Sequence, residues 1–220
     1  MSLNSKLNTI TDNGFNRMSL KIAKVLTDGI QDLKNGNLQK EALSKKAFPS
    51  DISLYDISGK LIPLKEILNA KYNVINFYRG GWCPYCNLEL RAYDALLTEF
   101  KKAGANIIAV SPELPEYTKT TQKKNAISYP TFTDLHNDLA RKLGITFKLS
   151  NPLKQEYDNF GINLRQLHGD NNNELIVPAV YLVRKDLQII KVYLEENHMK
   201  RVEPSEVLKD LKLQKEKGLI

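Results

Sequence analysis

Apolar residues recur along the first part of the chain at Phe15, Met18, Ile22, Val25, Leu26 and Ile30. That spacing puts them on one face of a helix. Asn35, Gly36 and Asn37 break it, and a short helix is expected over 38–44. Ile52, Leu54 and Ile57 then point to a strand, Ser58-Gly59-Lys60 to a turn, and Ile62 and Leu64 to a second short strand. The continuous apolar run over 72–78, rich in β-formers, reads as a buried strand. Helical periodicity returns at Leu88, Ala92, Ala95, Leu96 and Phe100 and is closed by Gly104.

Downstream the pattern alternates. A buried strand is expected over 106–112, a helix over 114–127, a short strand over 129–134 and a helix over 137–145 that Gly144 closes. Residues 151–173 read as irregular. The runs 175–183 and 187–195 form a hairpin turning at Arg184-Lys185-Asp186. Glu203, Pro204 and Ser205 open a last helix over 203–217. Parallel strand–helix–strand crossovers followed by an antiparallel hairpin predict an α/β fold, a central mixed β-sheet flanked by helices. Residues 1–44 form a helical N-terminal extension outside the main domain, 45–220. That extension is either an arm packed on the domain or a dimerisation arm that makes the protein a homodimer.

Composition narrows the class. Hydrophobic residues at 42% and charged residues at 26% let a chain of 220 residues bury a core without cysteine staples. No apolar run approaches the ~18–20 residues of a membrane span, and the first fifteen residues lack a signal core. A cytoplasmic protein is expected. The net charge, 32 − 25 = +7, rests largely on scattered lysine doublets at 45–46, 101–102 and 123–124. These read as solvated helix faces, and no nucleic-acid motif accompanies them.

Both cysteines lie three positions apart, in the stretch Tyr78 to Leu90, YRGGWCPYCNLEL. The strand over 72–78 runs into Arg79-Gly80-Gly81-Trp82, and Pro84 suits a first helical position. Cys83 therefore sits near the helix cap and Cys86 in the first turn. Free N–H groups and the positive end of the helix dipole favour a thiolate there; such a site takes a thiol from ~8.5 to as low as ~3.5–7.5. Arg79 adds positive charge. A zinc site needs more ligands than one Cys-x-x-Cys supplies, and His136, His168 and His198 lack a common ligand spacing, so no metal is expected. A redox pair is the stronger reading. Trp82 either shields the pair and shapes a docking surface or is a packed aromatic. Tyr85, Glu89, His136 and His168 read as surface residues.

The stretches 47–68, 73–93, 105–116, 130–145 and 177–190 resemble the alkyl hydroperoxide reductase/thiol-specific antioxidant (AhpC/TSA) branch of the thioredoxin-like proteins, and more closely its peroxiredoxin-like members with a Gly-Gly-Trp-Cys-Pro-Tyr-Cys centre. The likeness covers about residues 46–212. It implies a thioredoxin-like fold and thiol chemistry on peroxides or disulfides, with a hydroperoxide as substrate, a thioredoxin-like dithiol as reductant and no cofactor. Laid on the peroxiredoxin pattern Pro-x-x-x-Thr-x-x-Cys, the chain has Arg79 for the proline, Cys83 for the threonine and Cys86 for the attacking cysteine. Laid on the thioredoxin pattern Trp-Cys-x-x-Cys, Trp82 matches and Cys83 attacks. Peroxide chemistry favours Cys86 as the attacking thiol and Cys83 as the resolving one. The peroxiredoxin arginine is missing from its usual strand start. Pro178 stands there instead and resembles the cis-proline beside a thioredoxin site, which implies a cis Val177–Pro178 bond. Asn76 takes the place of the buried thioredoxin aspartate.

The expected activity is thus that of a thiol peroxidase cycling through a sulfenic acid and an intramolecular disulfide. A thiol–disulfide reductase acting on proteins is the first rival. A non-catalytic binding module that works through residues 1–44 is the second.

Overall fold

A computed structural model describes residues 1–216; the last four residues of the 45–220 domain, and the end of the helix expected over 203–217, lie outside them. Three helices open the chain, α1 (Leu3–Phe15), α2 (Leu20–Asn35) and α3 (Leu38–Ser44). Then come β1 (Ser53–Tyr55), β2 (Leu61–Pro63), α4 (Leu64–Ile67), β3 (Tyr72–Phe77), α5 (Pro84–Asp94), α6 (Leu97–Lys102), β4 (Ala105–Ser111), α7 (Pro115–Lys124), β5 (Thr131–Thr133) and α8 (Asp138–Leu143). The chain continues through β6 (Thr146–Lys148), α9 (Asn151–Asn159), α10 (Leu164–His168), β7 (Glu174–Ile176), β8 (Ala179–Arg184), β9 (Ile189–Leu194) and α11 (Pro204–Glu216).

The seven strands β2-β1-β5-β4-β3-β8-β9 make one mixed sheet. β3, β4 and β5 run parallel, while β8 is antiparallel to β3 and β9 to β8. Every residue of β3 is buried, as a central strand covered on both faces requires. Its side chains alternate: Tyr72 and Val74 join the core under α5 and α11, while Ile75 and Phe77 join the core with α4 and α8. The mixed sheet flanked by helices agrees with the architecture expected from the sequence, and the lysine doublets are exposed.

Several local expectations are corrected. The helix expected from Phe15 onward is two helices, because the Ser19 side chain accepts from the Ile22 N–H and caps α2 separately. The helix expected up to Gly104 breaks between α5 and α6, with Leu96 out of helical geometry. Residues 151–173 are not irregular: Pro152 opens α9, the Asn163 side chain caps α10, and Leu153, Tyr157 and Leu164 form a core of their own with Leu149 and Leu175. The run 175–183 is two strands, since β7 pairs with β6 in a separate two-stranded sheet.

The N-terminal helices pack on the rest of the chain. Leu3 and Leu7 are buried, and α1 lies along α5. The Glu203 carboxylate accepts from the Leu3 and Asn4 N–H groups at 3.2 and 2.7 Å, a negative charge on the positive end of a helix. At Gly29 of α2 an added Cβ would lie 3.0 Å from Leu153, so α2 approaches α9 closely.

Candidate active site

The site begins where β3 ends. Gly80 has φ +147°, and a Cβ there would meet the Trp82 ring at 2.4 Å and Glu113 at 2.7 Å. Glycine alone makes this turn. The turn is then tied down from several directions. Glu113 accepts from the Gly81 N–H at 2.9 Å and from Thr121 Oγ1 at 3.3 Å. Asn87 Nδ2 donates to the Gly81 carbonyl at 2.9 Å, and Asn125 Nδ2 donates to Asn87 Oδ1 at 3.0 Å. Cys83 becomes the cap residue of α5 with Pro84 at its start, as the sequence predicts.

Both thiols are free and buried, with Cys83 1% and Cys86 0% exposed. Two buried arginines flank them. The Arg79 guanidinium hydrogen-bonds the Tyr157 hydroxyl and stacks 4.7 Å from the Trp82 ring centroid. Among the described residues it faces no carboxylate partner, and its Nε has no hydrogen-bond acceptor. Arg201 Nη2 lies 3.6 Å from Cys86 Sγ, and its Nε pairs with Glu89 at 2.8 Å, both side chains within 3% of full burial.

These charges set the thiols apart. Burial alone would push Cys83 up, but the hydrogen bond from Cys86 and the charges of Arg79 and Arg201 outweigh it and bring it down to about 6. Burial and the neighbouring Cys83 push Cys86 well up, so the pair holds one thiolate and one thiol near neutral pH. Burial pushes Glu89 up to about 7, with Arg201 pulling it back only in part. Burial also raises Glu113 to about 7, against the hydrogen bonds from Gly81 and Thr121. Burial and the two arginine charges hold His198 well below its usual value, so its imidazole is neutral.

A cavity of about 440 Å³ opens beside Cys83. Arg79, Trp82, Tyr85 and His198 also line it; Cys86 does not. Of the residues singled out in the sequence, Cys83, Cys86, Arg79 and Trp82 come together. Pro178 lines a second cavity, with Glu89 and Arg201. No peptide bond among the described residues is cis, so the expected cis Val177–Pro178 bond is corrected to trans. The bond sits where the chain passes from the two-stranded sheet into the central one, and it takes the trans form, which an X–Pro bond favours by ~0.5–1 kcal/mol.

Further corrections concern the residues read as surface. Glu89 is a buried ion-pair partner. Tyr85 is half-buried, receives a hydrogen bond from Thr11 and packs its ring edge-on against His198 at 5.8 Å. His168 is buried without a partner for Nε2. Asn76 is buried in β3 with neither side-chain atom hydrogen-bonded. Arg201 and Glu113 had no sequence signal. They lie far from the pair in the chain and belong to no motif.

A match to the AhpC/TSA family spans residues 45–192. Over 103 residues the chain is 32% identical to a chloroplastic peroxiredoxin Q of Gentiana triflora, covering 47% of each protein. It is 35% identical over 82 residues to the thiol-disulfide oxidoreductase ResA of Halalkalibacterium halodurans, covering 37% of this chain and 46% of that one. The chain thus spans about half the length of the curated relatives it matches. Among solved structures, peroxidoxin BcpB from Mycobacterium tuberculosis superposes with a TM-score of 0.60 at 17% identity, covering 76% of this chain and 97% of that one. That likeness is one of fold.

Proposed function

The chain belongs to the AhpC/TSA family, and on that premise we propose that it is a thiol-dependent peroxidase in which Cys83 attacks and Cys86 resolves. The observation that carries this reading is the site's charge arrangement. A buried thiol pair lies between two buried arginines, and Arg79 finds no carboxylate partner among the described residues while facing a cavity that Cys83 also lines. The negative charge that balances Arg79 is the Cys83 thiolate. This reverses the order that the peroxiredoxin overlay favours, because Cys83 borders the cavity and Cys86 lies behind it.

The thiolate attacks the distal oxygen of a hydroperoxide. The O–O bond breaks, the alkoxide or hydroxide leaves and takes up a proton, and Cys83 becomes a sulfenic acid. Arg79 stabilises the charge developing on the oxygens, which a preorganised cation in a dry site does without reorganisation. Cys86 then loses its proton and attacks the Cys83 sulfur. Hydroxide leaves and is protonated to water, and an intramolecular disulfide remains. An external dithiol of the thioredoxin type reduces it by exchange. No step calls on a metal or a cofactor. A cytoplasmic setting, where dithiol reductants are maintained, suits this cycle.

The similarity to ResA keeps a second reading in view, exchange with protein disulfides. Turnover separates the two. With one dithiol reductant in excess, the protein is expected to consume hydroperoxide at least ~100-fold faster than it reduces an unfolded protein disulfide. The opposite ratio would make it a thiol–disulfide reductase.

A further inference from the structure

The cavity beside Cys83 is much larger than hydrogen peroxide needs. Its volume of about 440 Å³ falls in the ~300–1,000 Å³ range of sites for small organic molecules, whereas hydrogen peroxide is a molecule of two oxygens. Its lining is also mixed. Cys83, Arg79 and His198 supply polar groups, with Arg79 lying on the Trp82 and Tyr157 rings. Phe15, Met18 and Leu26 add apolar surface. Phe15, Met18 and Leu26 come from α1, α2 and the link between them, before the residues that match the family begin at 45. This part of the wall is held in place by the Glu203 contacts to the start of α1, by Thr11 on Tyr85 and by the close approach of α2 to α9.

We infer that the N-terminal helices are the specificity element of this site, with Phe15, Met18 and Leu26 selecting hydroperoxides that carry a bulky apolar group over hydrogen peroxide. The inference rests on the peroxidase reading. The peroxide oxygens meet Cys83 and Arg79, and the apolar group fills the space that the helices enclose. The chemical step is unchanged: the O–O bond breaks, Cys83 gains the distal oxygen, and the apolar alkoxide leaves as the alcohol after taking up a proton. Apolar contacts of this kind discriminate by ~10-fold or more for each group accommodated.

The test uses the full chain, reduced, and follows oxidation by the fluorescence of Trp82, the single tryptophan. Second-order rate constants are measured with cumene hydroperoxide and with hydrogen peroxide. The ratio of the two is expected to favour cumene hydroperoxide by about tenfold or more. In Met18→Glu, and separately in Phe15→Ala, that ratio should fall by about tenfold. A ratio unchanged by both variants, or two rate constants that fall together, would overturn the inference. So would an unchanged ratio with a raised KM for a thioredoxin-type reductant, which would assign the cavity to the reductant instead. If neither hydroperoxide oxidises the protein, the peroxidase reading falls. The wall is then judged by titrating the product alcohol, 2-phenyl-2-propanol, against Trp82 fluorescence. Saturable binding weakened in Met18→Glu supports an apolar-ligand site built by the helices; no binding overturns it.

Discussion

Cys83→Ser is expected to lower the second-order rate constant with hydroperoxide by about a thousandfold or more. Two effects combine. Near neutral pH a thiol at about 6 is mostly thiolate, whereas an unperturbed one at ~8.5 is only a few per cent ionised, a difference of ~30-fold. Positioned charge on the developing oxyanion adds a further ~10²–10³ in known cases, and only Cys83 borders the cavity that Arg79 lines. Cys86→Ser should behave differently. It should still form a sulfenic acid that a dimedone-type reagent captures, but without multiple turnover, because no thiol remains to resolve it. The pH dependence follows from the sign of the shift. Lowering the Cys83 thiol fills its reactive form on the alkaline side of about 6, so the rate constant should rise from pH 5 to 7 and level off above. Capture of sulfenic acid only in Cys83→Ser would move the attacking sulfur to Cys86.

The largest effect on stability is expected at Arg201. Its pairing with Glu89 is almost fully enclosed, and breaking such a pair by removing one partner costs ~3–5 kcal/mol. Arg201→Met should therefore lower the urea midpoint by that equivalent. Its loss also withdraws one of the charges that bring Cys83 down, so the pH midpoint for alkylation should move upward from about 6. The double variant Glu89→Leu/Arg201→Met removes both buried charges and should recover most of the stability, since well-packed apolar replacements of buried pairs are often neutral or better. It should not recover the alkylation midpoint. Full recovery of both would mean that Arg201 acts on the thiols only by holding the fold.

The parts of the site that were legible in the sequence are the parts encoded locally. Six consecutive buried residues in β3, two glycines, a tryptophan and Cys-Pro-x-Cys specify a strand, a turn and a helix start within fifteen residues, and each device has one geometric meaning. Arg79 and Trp82 belong to that same segment. Glu113, Arg201 and His198 reach the site from loops that follow β4 and β9, and nothing near them in the chain marks the destination. Glu89 looked like a solvated helix residue because charge on a helix is usually solvated. What buries it is Arg201, 112 positions away. Residues 151–173 misled for another reason. Their Asn, Asp and Gly content suggests a loop, yet Pro152 and Asn163 are helix starters, and Leu153, Tyr157 and Leu164 bury one face of each helix. The trans bond at Pro178 shows where likeness to a fold stops short of local geometry.

On the proposed reading the two thiols form one redox unit driven by peroxide. The most direct measurement is the mass of the intact reduced protein after one equivalent of hydroperoxide, quenched within seconds by acid. A monomer lighter by two hydrogens is expected, with Cys83 and Cys86 in one disulfide-linked peptide after digestion. Thiols that persist unmodified, or disulfides that join separate chains, would contradict it.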